Sequence, residues 1–130
     1  MGKRVTFIGI TLSMEATITL LDIYEGKHPV MLEEFVGIKN YLDLIAFRYR
    51  LKARVRALQT LIREDMISPS FAIEKKGNGW IENYIENMKC LYCKKVFRGT
   101  YMDLGYKKFC DENCKALQAA SEAPPAPFLP

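Results

Sequence analysis

Four cysteines in two close pairs are the residues whose types and spacing could do chemistry in this chain. Cys90 and Cys93 form a C-x2-C pair, and after sixteen further residues Cys110 and Cys114 form a C-x3-C pair. Two such pairs can converge on one ion, and four thiolates complete the tetrahedral shell that zinc prefers. A shell of four protein ligands leaves no open coordination position. The spacing therefore predicts one structural Zn²⁺ and no catalytic metal.

The sequence alone leaves two other states of these cysteines open. They could form two disulfides, which inside cells are typical only of hyperthermophilic organisms, or they could be four buried thiols. Metal-binding thiols suit a reducing compartment. The longest apolar run, from Val5 to just before Glu15, is shorter than the roughly 18 residues of a membrane span. We therefore expect an intracellular protein that does not cross a membrane.

The remaining residue types do not form a recognisable catalytic set. His28 is the only histidine and stands directly before Pro29, so the H-x-E pattern of zinc deaminases does not occur. Neither a G-x-S-x-G turn nor a Walker phosphate-binding loop is present in the sequence. The sequence predicts a protein that binds partners and is not an enzyme.

Positive charge is concentrated in one segment of the chain. The net charge is +4, and residues 41–63 alone carry six cations and one carboxylate. The flanking segments 1–40 and 64–86 are both net acidic. Such a focused charge suits the binding of a polyanion better than general solubility.

A long helix is expected to position these cations. Asn40 followed by Asp43 is an N-cap pattern, and no glycine or proline interrupts the chain from there to Met66. The expected apolar stripe consists of Leu44, Leu51, Val55, Leu58 and Ile62. One neighbouring face carries polar and cationic side chains, and further cations lie on the other flank. The candidate nucleic-acid contacts on this helix are Arg48, Arg50, Lys52, Arg54, Arg56, Gln59 and Arg63.

Shorter elements are expected before and after this helix. They are a strand or arm near residues 5–10, a helix from Ser13 to about Gly26, and a short helix over 30–38. After the long helix, glycines at a Gly-Asn-Gly tip between β-prone flanks predict a hairpin over 71–84. Trp80 is expected to pack this hairpin against the helices. Lys75 and Lys76, next to the tip, are further candidate phosphate contacts.

The order of helix, helix, long basic helix and hairpin resembles the winged helix–turn–helix family over residues 11–85. The stretch Arg54–Ile67 resembles the family's recognition helix, which ends in an apolar pair leading into the wing. The resemblance implies that this helix enters the major groove and that the hairpin contacts phosphates or the minor groove. It also implies a homodimer. The segment between Glu34 and Arg54 is longer than is usual in the family.

The cysteine segment resembles treble-clef zinc fingers over residues 88–118, because its second half reads Phe-Cys-x-x-x-Cys. The resemblance implies that a knuckle carries the first cysteine pair and that a helix N-terminus carries the second. Phe97 and Phe109 suit a small core around the metal. The pairing of these modules in a small chain is also loosely similar to proteins of viruses of hyperthermophilic archaea, which implies an archaeal host cytoplasm.

These expectations combine into an α+β protein with three parts. A winged helix–turn–helix domain occupies residues 1–86, a four-cysteine zinc finger residues 87–119, and a proline-rich tail residues 120–130. The expected function is double-stranded DNA binding as a transcription regulator, with RNA binding left open. The alternative from a different class is a protein–protein adaptor or virion component that docks through the finger and the tail.

Overall fold

The computed structural model describes residues 4–27, 36–99, 101–105 and 107–122. The chain divides into two compact units, residues 1–84 and 85–130. The described residues form four helices and two small antiparallel sheets, which is compatible with the expected α+β class. Most of the helix expected over 30–38 and the proline-rich end from 123 onward lie outside the described residues.

The first unit begins with a β-hairpin where a single strand or arm was expected. Strands β1 (Arg4–Phe7) and β2 (Ile10–Ser13) pair antiparallel. The two residues between them, Ile8 and Gly9, have φ angles of +53° and +73°. Positive φ at both central residues is the geometry of a type I′ hairpin turn. Isoleucine rarely adopts it, so the turn carried no strong sequence signal.

Helix α1 (Met14–Tyr24) starts where the sequence predicted it to start. The Ala16 amide donates a hydrogen bond to the Ser13 side-chain oxygen at 3.2 Å, which confirms Ser13 as the N-cap. Gly26, with a φ of +83°, follows the C-cap residue Glu25. Glycine is favoured there because the left-handed region costs other residues free energy.

Helix α2 (Tyr41–Arg63) is the expected long basic helix, and it ends three residues before Met66. The Asp43 amide donates to the Asn40 side-chain oxygen at 2.9 Å, so the predicted N-cap is confirmed. The predicted core-facing stripe is wrong in its rotation, because Leu44 and Val55 are 36 % and 43 % exposed. The residues that α2 buries are Phe47, Arg54, Ala57, Leu58 and Leu61.

The buried face is rotated by about 75° from the predicted stripe, at about 100° per residue. Packing against α1 sets this rotation, since α1 and α2 are in contact and Arg54 on the buried face reaches Asp22 of α1. No helix among the described residues combines the length and the apolar character that are needed to cross a bilayer.

The prediction of a hairpin over residues 71–84 is wrong, because Lys75–Asn87 forms helix α3. The buried side chains Trp80, Ile81 and Tyr84 follow helical spacing and are fully inaccessible to solvent. Gly77 is not a turn residue. A Cβ atom built on it would lie 2.1 Å from the Met66 carbonyl oxygen, so glycine permits a close approach between α3 and that backbone.

Trp80 joins helix α3 to the N-terminal hairpin. Its indole Nε1–H donates to the Ile10 carbonyl oxygen at 3.0 Å. The Phe7 ring meets the Trp80 ring edge-on at 5.6 Å, and the Tyr84 ring stacks on Trp80 at 6.0 Å. Aromatic pairs in these geometries stabilise a fold beyond the area that they bury. Trp80 is buried as expected, but it lies on a helix and packs against the N-terminal hairpin, so the prediction that it packs a hairpin over 71–84 against the helices is wrong.

The second unit contains a short hairpin and one helix. Strands β3 (Met102–Leu104) and β4 (Lys107–Phe109) pair antiparallel, and helix α4 (Glu112–Glu122) follows. The treble-clef resemblance implied a helix N-terminus at the second cysteine pair, and α4 begins there. Asp111 caps it, because its carboxylate accepts a hydrogen bond from the Cys114 amide at 2.9 Å.

Candidate metal centre and candidate nucleic-acid interface

The four cysteines converge to a single cluster in the second unit. The sulfur atoms of Cys90, Cys93, Cys110 and Cys114 all lie within 4.8 Å of one another. A tetrahedral zinc–tetrathiolate centre with bonds of about 2.3 Å has sulfur–sulfur distances of about 3.8 Å, so the arrangement fits a zinc-sized ion. All four cysteines are free. The sulfur atoms of Cys93 and Cys110 are 3.3 Å apart, well beyond a disulfide bond of about 2.05 Å.

The first cysteine pair lies in a tight turn of backbone hydrogen bonds. The Lys94 amide donates to the Cys90 carbonyl oxygen at 3.0 Å, and the Cys90 amide donates to the Lys95 carbonyl oxygen at 2.9 Å. Lys94 has a φ of +65°, which turns the chain back sharply. The Cys93 amide then points at the Cys90 sulfur, 3.5 Å away. An amide that donates to sulfur favours the thiolate, which is the form that binds metal.

The second pair is delivered by strand β4 and helix α4. Cys110 follows directly after β4, and Cys114 lies in the first turn of α4. The Leu91 amide donates to the Lys108 carbonyl oxygen at 2.8 Å. This bond joins the turn of the first pair to β4, so it brings the two cysteine pairs together.

The four sulfurs cannot all ionise without a compensating charge. Burial disfavours the Cys90 thiolate, but backbone N–H groups, led by that of Cys93, outweigh it and lower the pKa to about 6. Burial raises the pKa of Cys110 to about 12 and that of Cys114 to about 11, and the neighbouring Cys90 and Cys93 sulfurs add to both shifts. A divalent cation bound among the sulfurs would supply the positive charge needed to ionise all four.

Two phenylalanines of the second unit are buried, as expected for its small core. Phe97 and Phe109 are each 3 % exposed. The Tyr101 ring stacks on Phe97 with a centroid distance of 4.7 Å. Tyr92 is exposed. The apolar core of this unit is thus small, and Cys90 is one of its buried residues.

On helix α2, five of the predicted contact residues share one exposed face. At about 100° per residue they lie within a sector of about 80°, opposite the buried face. Four of the five are cations, and within the described part of the chain none of these four forms an ion pair. The row extends for about 22 Å along the helix, at about 1.5 Å per residue. This basic row consists of Arg48, Lys52, Arg56, Gln59 and Arg63.

Arg54 is not part of this face, and its prediction as a nucleic-acid contact is wrong. It is 8 % exposed, and its Nη1 atom lies 2.8 Å from the Asp22 carboxylate of α1. Its Nε atom lies 3.8 Å from the Glu15 carboxylate. Arg54 therefore connects α1 to α2 inside the first unit. Its positive charge is paired there with the carboxylates of α1.

The other predicted contacts are dispersed. Arg50 is exposed, but it lies about 160° around α2 from the centre of the basic row. Lys75 and Lys76 are exposed in the first turn of helix α3 instead of at a hairpin tip. The structure thus brings five of the nine predicted contacts onto one face.

Comparison with known proteins gives no relative for this chain. No protein-family model matches it, and neither the curated proteins nor the solved structures include a match. The geometry of the two sites is therefore the basis on which function is inferred.

Proposed function

We propose that this protein binds nucleic acid, double-stranded DNA in the first place, through the basic row of α2. The observation that carries the proposal is the position of Arg48, Lys52, Arg56 and Arg63 on the face opposite the core. No ion pair within the described residues neutralises them. Cations in such a row can contact successive phosphates, and Gln59 among them can donate to and accept from a base edge.

The proposal includes a treble-clef zinc finger in the second unit, with one structural Zn²⁺. The supporting features are the turn that carries Cys90 and Cys93, the β3–β4 hairpin, and the helix whose first turn carries Cys114. The bound ion would offset the charge of the four thiolates and cross-link the two pairs. These four protein ligands would fill a tetrahedral shell, which is typical of structural zinc.

A homodimeric transcription regulator is the more specific form of this proposal. It rests on the resemblance of the helix order in residues 11–85 to that of the winged helix–turn–helix family, in which the long basic helix reads DNA. The hairpin that forms the wing in that family is not present at residues 75–87, which form a helix. This part of the chain therefore gives no support to the more specific proposal. Competition between duplex DNA and duplex RNA would separate the two nucleic acids, and sedimentation would give the oligomeric state.

Fluorescence anisotropy with a labelled random duplex over a series of salt concentrations tests the proposal. Each phosphate that is neutralised adds about 0.9 to the slope of log K against log salt, so the four cations predict a slope of about −3 to −4. In the variant Arg48→Ala/Lys52→Ala/Arg56→Ala, most of that slope and of the affinity should be lost. The matched control Arg48→Lys/Arg56→Lys keeps the charge at the same positions and should bind nearly as the parent does.

Two outcomes would contradict the proposed interface. Unchanged affinity in the triple alanine variant would reject the assignment to α2. Weak binding that does not respond to salt would reject nucleic-acid binding, and it would favour the adaptor alternative. Circular dichroism of each variant verifies that the fold is retained.

A further inference from the structure

The N-terminal half of α2 exposes more apolar surface than binding to a phosphate backbone requires. Tyr41, Leu42 and Tyr49 are 73 %, 75 % and 74 % exposed. The first buried residue of the helix is Phe47. Scattered exposed apolar side chains are normal, but a contiguous group on one helix marks a binding surface. This surface overlaps the basic row at Arg48 and Lys52.

An open groove lies on this half of α2. It has a volume of about 630 Å³. Two of the side chains that line it are cations of the basic row, and the others are aliphatic or aromatic. The described residues that line the groove are Ile45, Arg48, Tyr49, Leu51, Lys52 and Val55.

A fully paired duplex has no exposed base faces to place in such a groove. It presents phosphates, sugars and base edges, whereas the faces of its bases are stacked on one another. Unpaired bases do expose their faces, and proteins hold them with cations along the backbone and aromatic rings beneath the bases. Base stacking on an aromatic ring tolerates any sequence, because every base has a flat face.

We propose that this groove takes unpaired bases, with Tyr49 as the stacking ring and with Arg48 and Lys52 on the adjoining phosphates. The proposal rests on the proposed function and specifies its ligand: DNA in which bases are unpaired next to a duplex. The C-terminal half of the row, with Arg56 and Arg63, holds the paired backbone. Tyr41 lies about 12 Å from Tyr49 along the axis of α2, and within about 80° of it around the helix. It can therefore contact the same unpaired nucleic-acid strand.

A second copy of the chain fits this surface less well. In a two-fold contact the same patch meets itself, so Arg48 and Lys52 would approach their own counterparts. Like charges that face each other across an interface oppose association. A polyanion that also carries flat apolar rings meets both features of the groove.

Two labelled duplexes of identical length and charge test the proposal at one salt concentration. One is fully paired, and the other carries a central bubble of unpaired thymines. The parent protein should bind the bubble about ten-fold more tightly. Tyr49→Ala should remove this preference and leave affinity for the paired duplex unchanged. Tyr49→Phe, which keeps the ring, should retain the preference, whereas Tyr49→Leu, which keeps only apolar surface, should lose it.

Each remaining outcome overturns the inference. Equal affinity for the two duplexes contradicts the choice of ligand, and a preference that survives in Tyr49→Ala contradicts the role of Tyr49. A leucine variant as good as the phenylalanine variant contradicts stacking on the Tyr49 ring as the source of the preference. In these cases salt-dependent binding of the paired duplex leaves the proposed function standing. Failure to bind either duplex at low salt removes both proposals.

Discussion

The two units of this chain are stabilised in different ways. Among the described residues, the first unit buries fourteen apolar side chains, including Trp80 and Tyr84 at zero exposure, whereas the second buries only Met88, Cys90, Phe97 and Phe109. Helix α4 of the second unit has no buried residue at all. A core of that size rarely supports a fold without a cross-link. Apolar packing can therefore stabilise the first unit, whereas the second unit has so small a core that a cross-link, such as the proposed metal, would be needed to stabilise it.

Removal of the proposed metal should give the largest loss of folding stability. The proposed zinc should contribute on the order of 10 kcal/mol to folding of the second unit, so a strong chelator should unfold that unit. Trp80 is the only tryptophan and lies in the first unit, so its fluorescence reports that unit alone. We expect the four thiols to become reactive towards a thiol reagent while the emission of Trp80 stays unchanged.

A double variant, Cys110→Ser/Cys114→Ser, provides the matched control because it keeps one cysteine pair and loses the second. It should reproduce the chelated state without chelator. Freshly purified protein that contains no metal by elemental analysis would contradict the zinc assignment. A shift of Trp80 emission that accompanies chelation would instead contradict the independence of the two units.

The accuracy of the sequence-based expectations depends on how far apart along the chain the interacting residues lie. The cysteine spacing needed only short segments to indicate a cluster, and the caps Ser13 and Asn40 act on amides three residues away. The Gly-Asn-Gly segment was misread because only distant contacts, such as those of Trp80 with Phe7 and Ile10, decide that it is helical. Interactions between residues close in the sequence could be predicted, whereas the packing partners of an element could not.

Arg54 shows the same limit within a single helix. Its partner Asp22 is 32 residues away, and the sequence places six cations of nearly equal appearance in residues 41–63. Burial of one of them depends on which side of α2 faces α1. Once the buried face is known, the exposed row follows from helical periodicity alone.

Arg54 and Arg56 lie two residues apart on α2 but should differ strongly in their contribution to stability. Arg54→Ala would remove the guanidinium that pairs with the buried Asp22 carboxylate, which should cost about 3–5 kcal/mol of unfolding free energy. Arg56→Ala removes an exposed cation and should change stability by less than about 0.5 kcal/mol. Urea denaturation followed by Trp80 fluorescence measures both values.

A double variant separates charge from packing at this site. Asp22→Asn/Arg54→Met removes both charges, so it should be less destabilised than Arg54→Ala. The DNA affinity should show the reverse order, with Arg56→Ala weaker than the parent and a folded Arg54 variant unchanged. Equal stability of Arg54→Ala and Arg56→Ala would show that the Asp22 pair contributes nothing to the first unit.

The smallest expected effect concerns the exposed start of α2, which has little packing to hold it. The Asn40 side chain accepts from the Asp43 amide, and the Asp43 carboxylate accepts from the Lys39 amide at 3.2 Å. Asn40→Ala should cost about 1 kcal/mol, and amide hydrogens of residues 41–46 should exchange faster than those after Phe47. Asn40→Asp keeps a capping oxygen and should behave as the parent does. Because Tyr41 and Tyr49 lie on this half of the helix, the alanine variant should also bind the bubble duplex slightly less tightly. Uniform exchange along α2 would instead mean that tertiary contacts, and not the cap, hold its first turns.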